Sequence, residues 1–188
     1  MSNEIQIKYD VFISGEDVNL VVLTEEIAEK SDWYSWLNDA ETTKNMQQCY
    51  FPSTPQTQLK FFKENIANSI SKLQLGIIQK QDNVLIGMIS LNSIDYQNRR
   101  CEIAGFIGER KYKSIKYWLE ANKLIFKHAV NTLGIRRIYG GSLAKEVSIF
   151  YRRMLGFHDE GVHVQEIYKN GTYRDVYYFA RIFEEALR

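Results

Sequence analysis

The sequence has little that would brace or partition a chain from outside its own core. Its 188 residues include two cysteines, Cys49 and Cys101, and two prolines, Pro52 and Pro55. Neither cysteine belongs to a C-x-x-C pair, which argues against a zinc site or a disulfide framework and for reduced thiols. The three histidines, His128, His158 and His163, have no second ligand at metal spacing, so no metal is expected. No run approaches the ~18 apolar residues of a membrane span. Residues 1–10 are polar and lack the apolar segment of a secretory signal, so no membrane association and a cytoplasmic location are expected. Linkers, low-complexity tracts and repeats are also lacking, and one domain over residues 1–188 follows. The net charge is only +1, which gives no electrostatic footprint for nucleic acid.

What is present is an ordinary globular mix, 45% hydrophobic and 25% charged. Residues 19–24 read as a first strand and 25–37 as a helix. Thr54 with Pro55 is an N-cap signature for a helix running to about Lys72. Residues 75–79 and 84–91 form a hairpin pattern, and 101–107 a third strand with small or apolar residues on both faces. The strongest helical pattern is 114–133, with Tyr117, Ala121, Leu124, Ile125, His128 and Ala129 at steps of three and four and Gly134 beyond it. His128 falls on that apolar stripe and reads as a core residue. A short strand (136–140), a helix (143–155, stopped by Gly156) and two strands (157–168 and 173–182) follow. Asn170-Gly171 between the last two predicts a type I′ hairpin. The order implies an α/β chain with a mixed, mostly antiparallel sheet and helices on both faces. The aromatic strand from Tyr173 to Phe179 reads as an exposed edge that needs cover, and a homodimer would supply it.

These segments together resemble the GNAT N-acetyltransferase superfamily, in the branch of ribosomal-protein and amino-sugar N-acetyltransferases. The resemblance runs from about residue 18 to 183. It is carried by Leu85-Ile86-Gly87-Met88-Ile89, by Arg100-Cys101-Glu102-Ile103-Ala104 with Ile107-Gly108-Glu109, and by Glu120-Ala121. Ser148-Ile149, Leu155-Gly156-Phe157, Glu160-Gly161 and Tyr173-Arg174-Asp175 complete it. It implies acetyl-CoA as co-substrate and an amine acceptor: a small molecule, an amino sugar or a peptide N-terminus. It also implies a glycine-rich loop that wraps the coenzyme A pyrophosphate at a helix start. Here the three glycine positions fall on Ser114, Lys116 and Trp118. Arg110, Lys111, Lys113 and Lys116 offer cations in their place. The family's cofactor-facing Asn falls on Lys145. The thiolate-protonating Tyr falls on Arg152, with Tyr151 one residue earlier, and one residue turns a helical side chain by about 100°.

Transfer to an amine needs a base, a donor for the thioester carbonyl and, for the sulfur, an acid; no covalent nucleophile is required, so Cys101 reads as a core thiol. Glu102, a carboxylate on a buried strand, is the expected base, with Asp95 a weaker candidate. The resemblance implies a backbone donor within Gly105, Phe106 and Ile107, where pantetheine would pair with the strand edge. It also points to Tyr151 as the acid, with Ser114 and Arg152 beside the cofactor. Trp33, Tyr34, Trp36, Tyr50 and Phe51 would wall the acceptor cleft or the core. Two other readings fit the altered loop: a GNAT-fold binding or regulatory module, or an acyltransferase served by an acyl-carrier protein.

Overall fold

The computed structural model describes residues 7–47 and 51–187; Cys49, Tyr50 and the first six residues lie outside them. Eight strands form one sheet: β1 (Val11–Ser14), β2 (Val18–Val22), β3 (Leu73–Gln79), β4 (Val84–Asp95), β5 (Arg100–Ile107), β6 (Arg137–Ser142), β7 (His158–Lys169) and β8 (Thr172–Ile182). The helices are α1 (Glu25–Lys30), α2 (Trp33–Asn38), α3 (Ala40–Thr43), α4 (Pro55–Asn65), α5 (Ile115–Asn131) and α6 (Lys145–Leu155). The spatial order is β1-β2-β3-β4-β5-β6-β8-β7. Tight turns make most neighbours antiparallel, and only the crossover through α5 makes a parallel pair, β5 with β6.

Strand alternation sorts the core onto two faces. Leu75, Ile77, Ile89, Leu91, Cys101 and Ile103 pack in one cluster with Ala121, Ile125 and Ala129 of α5. Met88 and Leu85 pack in the other with Ile27, Trp33, Trp36 and Phe62 of α1, α2 and α4. Burial pushes the Cys101 thiol up to about 12, so it stays protonated and inert. His128 is half-buried, its pKa lowered by desolvation, and its ring meets Phe12 edge-on.

Local chemistry explains the boundaries. The Thr54 hydroxyl accepts from Thr57 N at 3.1 Å in a capping box, with Pro55 at the first helical position. Asn170 and Gly171 both take positive φ, 51° and 80°, as a type I′ turn requires. Three expectations change. Residues 25–37 are two helices, because the Ser31 N–H closes α1 on the Ile27 carbonyl and the chain turns at Asp32. The helix begun at Pro55 ends at Asn65, well before Lys72. The aromatic strand 173–179 is no edge: β8 lies between β6 and β7, and the edge is β7, most of whose side chains are exposed. The argument for a homodimer from β8 therefore falls.

Candidate active site

The parallel pairing of β5 with β6 stops early. Arg100, Cys101 and Glu102 pair with Arg137, Ile138 and Tyr139, and there it ends. Beyond that point β5 stays on β4 and β6 stays on β8, so the two strands part like a wedge. Each presents toward the gap a backbone edge that no described strand pairs. A cavity of about 540 Å³ occupies the wedge and the sheet face beside it. Trp118 of α5 stands at one part of its wall; Lys72, Asn92 and Glu102 stand at another. Thr42, Asn45, Met46 and Gln47 border it from the segment around α3, and Gly141, Ser142 and Val147 from β6 and α6.

Register orders the floor. Asn92 lies opposite Glu102, Ser90 opposite Ala104, and Met88 opposite Phe106. Residues two apart share a face, so this floor grades from charged to apolar along the strands. At the apolar end the Phe106 ring meets Trp36 edge-on at 6.2 Å. Gly105 touches its surroundings so closely that a Cβ there would strike the Met88 carbonyl oxygen and lie 2.8 Å from the Trp118 ring. Trp118 therefore leans over the strand, where the family pattern has glycine.

Glu102 is half-buried, and desolvation raises its pKa above the usual carboxylate range, with Lys72 pulling it back. Lys72 is itself lowered by burial and raised by Glu102. Arg99 and Arg100 are engaged elsewhere: Arg99 donates to the Gly134 carbonyl at 2.7 Å, and Arg100 pairs with Asp95 at 3.3 Å. Asp95 also accepts from Asn98 Nδ2 at 2.7 Å and from Asn98 N at 2.9 Å, which lowers its pKa. It lies among its loop partners rather than in the cavity wall.

The structure separates the two candidates on α6. The helix runs unbroken, and its buried stripe is Ser148, Tyr151 and Leu155. Tyr151 therefore lines the cavity without any bulge, while Arg152 points outward beside Asp159 at 3.7 Å. Tyr151 is only 3% exposed, and its ring stacks on Phe179 at 4.4 Å. Its hydroxyl donates to Asn122 Oδ1 at 3.0 Å, and Asn122 Nδ2 donates to the Trp118 carbonyl at 2.7 Å. Burial drives the Tyr151 pKa far up. Lys145 sits exposed at the first position of the helix.

The loop cations do not converge. Arg110 Nη2 bonds Asp39 at 2.6 Å, Lys116 Nζ bonds Asp17 at 2.7 Å, and Lys111 lies 3.6 Å from Asp82. Lys113 Nζ donates to Thr42 Oγ1 at 3.2 Å. Hydrogen bonds from Thr42 and Arg110 hold the Asp39 carboxyl at about 2. Ser114 caps α5 by accepting from Lys116 N at 3.2 Å. Of the expected cofactor residues, Gly105, Phe106 and Ile107 line the cavity; Arg110, Lys111, Lys113, Ser114, Lys116 and Arg152 do not.

The acetyltransferase (GNAT) domain family matches residues 18–147, more than half of the chain. The chain belongs to the GNAT acetyltransferase family. The putative ribosomal N-acetyltransferase YdaF of Bacillus subtilis is 28% identical over 105 residues, 55% of this chain and 57% of that protein. The match thus spans little more than half the length of that curated relative. Among solved structures, the RimL ribosomal L7/L12 α-N-protein acetyltransferase superposes with a TM-score of 0.79 at 20% identity, covering 93% of this chain and 95% of that one. The Vibrio cholerae spermidine N-acetyltransferase, solved with CoA and spermine, gives 0.77 at 17% identity over 88% and 95%. At these identities the likeness is one of fold.

Sequence reasoning missed Lys72, Asn92 and Lys169. Lys72 was placed at the end of a helix, and only the pairing of Leu73 with Leu91 brings it beside Asn92. Lys169, 8% exposed at the end of β7, donates to the carbonyls of Thr43 and Met46 at 2.7 and 2.6 Å. The signal for Lys169 was its place beside Asn170-Gly171, but its partners lie over 120 residues away.

Proposed function

We propose that the chain transfers an acetyl group from acetyl-CoA to a primary amine. The observation that carries this reading is the wedge: β5 leaves β6 after Glu102, and the cavity joins the freed edge of 103–107 to a half-buried carboxylate. An extended pantetheine arm would pair its amides with that edge, as a peptide adds to a sheet. This places the thioester among backbone donors of Gly105 to Ile107. Glu102 would take a proton from the ammonium, and the free amine would attack the thioester carbonyl. The N–C bond forms, the C–S bond breaks and the thiolate leaves with the electron pair; the second proton, shed by the acylated nitrogen, passes through water to the sulfur. Tyr151 reads as a positioning residue, since its proton is engaged with Asn122.

A second reading rests on the loop. With Arg110, Lys111 and Lys116 paired with Asp39, Asp82 and Asp17, the loop leaves a pyrophosphate only Lys113, which bonds the neutral Thr42 hydroxyl. A donor that presents pantetheine without adenosine diphosphate, such as an acyl-carrier protein, would not need it. Calorimetric titration with acetyl-CoA and with phosphopantetheine separates the two. Micromolar acetyl-CoA binding, at least ten-fold tighter than phosphopantetheine, supports the first. Equal affinities support the second, and binding of neither at millimolar ligand overturns both.

A further inference from the structure

Next to the wedge lies a second space, an open bay of about 580 Å³ with polar walls. α4 and the segment after it contribute Glu64, Asn65, Asn68, Ser69 and Ser71. Lys72, Asn92 and Glu102 border both spaces, so the bay opens onto the cavity at these three side chains. They form a row across β5, β4 and the residue just before β3. Asn92 pairs with Glu102, and the Leu73–Leu91 pair sets residue 72 opposite residue 92.

Two features of this row bear on a ligand. First, Lys72 and Glu102 carry opposite charges on one face, yet among the described residues neither forms an ion pair or a hydrogen bond. Lys72 Nζ instead rests over the Phe61 ring at 4.7 Å. Neighbouring charges are paired, Arg100 with Asp95 and Arg137 with Glu160. Burial penalises both charged forms, and each side chain partly relieves the other from across the row. Second, Asn92 Oδ1 is buried without a hydrogen-bond partner. Such an acceptor calls for a donor, which a turn of the side chain toward the bay would meet.

We propose that the bay receives the acceptor as a zwitterion: a primary amine whose ammonium meets Glu102 and Asn92, and whose anionic group is held by Lys72. The proposal rests on the transferase reading of the wedge and specifies its substrate class. One ligand satisfies both charges and the orphan oxygen, and it delivers its nitrogen to the base. The amide and hydroxyl groups of Asn65, Asn68, Ser69 and Ser71, with the Glu64 carboxylate beside them, suit polar substituents on the rest of the molecule. A carboxylate and a phosphate are equivalent as the anion, because a lysine ammonium reads either as a point charge.

The test compares matched amines as acceptors from acetyl-CoA, following thiol release. Serine is set against ethanolamine and serine methyl ester, and glucosamine 6-phosphate against glucosamine. The zwitterion exceeds its anion-free partner at least ten-fold in kcat/KM in one pair, and that pair shows whether the anion is carboxylate or phosphate. In Lys72→Met the ratio falls to near one through KM, and Lys72→Arg restores most of it. Equal rates within both pairs, a preference for spermidine, or a ratio that survives Lys72→Met overturns the zwitterion while leaving the transferase intact. Should no amine be acetylated, the transferase reading fails. Calorimetric titration of serine and glucosamine 6-phosphate then decides the bay by itself: absence of binding, or binding unchanged in Lys72→Met, overturns it.

Discussion

Glu102 stands out in the sequence as a carboxylate inside the apolar pattern Cys101 to Ile107, and the structure places it in the cavity wall. The structure adds what the sequence lacked, the identity of the neighbour. The arginines next to it in the chain turn to Gly134 and Asp95, and the charge that acts on it, without pairing, is Lys72. Lys72 and Asn92 were not legible, since strand pairing alone brings them beside Glu102. The raised pKa has a definite sign. As the proposed base, Glu102 works deprotonated, so kcat/KM should rise with pH along a limb above the ordinary glutamate value of 4.5. Glu102→Gln should lower kcat/KM by roughly 10²–10⁴-fold and abolish that limb. Stability moves the other way. A carboxyl whose folded pKa is raised stabilises only below its unfolded pKa and loses that contribution as pH rises through the folded one. The thermal midpoint of Glu102→Gln at pH 7 should therefore not fall below wild type. A lower midpoint with unchanged kinetics would make Glu102 a structural residue.

At the scale of elements, hydrophobic period read the long helix, the hairpins and the closing strands well. It failed where tertiary contact decides. β1 is short and mostly exposed, so no buried alternation marks it. α6 shows what period can and cannot give. Its apolar stripe places Tyr151 inward and Arg152 outward, but the hydroxyl's partner comes from α5. Tyr151→Phe leaves Asn122 Oδ1 buried and unsatisfied, at a cost of about 1–3 kcal/mol. Denaturant unfolding should show that loss while kcat falls less than ten-fold. A drop of a hundred-fold or more would return Tyr151 to the role of acid. Gly105 tests the wedge itself. Gly105→Ala puts a methyl against the Met88 carbonyl and Trp118. Overpacking of this kind costs about 1–3 kcal/mol. It should also weaken acetyl-CoA binding at least ten-fold by displacing Trp118 into the cavity; binding at wild-type affinity would mean that the strand edge there does not hold the donor.

For the whole molecule, the sheet's order explains why one far hairpin bears on the site. β8 joins β6, and β7 hangs on β8 as the outermost strand, so the two continue past the Ser142 end of β6 to their turn. There Lys169 is drawn from water to hold the carbonyls of Thr43 and Met46. These belong to the segment whose Thr42, Asn45, Met46 and Gln47 border the cavity. A buried ammonium bonded to two carbonyls is a costly arrangement unless the segment it fixes must stay fixed. Lys169→Met keeps the length and apolar stem but removes the donor. Both carbonyls then lose their charged partner, for a loss of about 3 kcal/mol in denaturant unfolding. The kinetic signature separates positioning from chemistry. KM for the acceptor should rise several-fold as the 42–47 segment loosens, while kcat at saturation stays within about two-fold, because Glu102 and the edge of β5 are untouched. A fall in kcat with KM unchanged would show that the hairpin acts on the reacting groups themselves, and the segment would then have to be placed against the thioester rather than beside the amine.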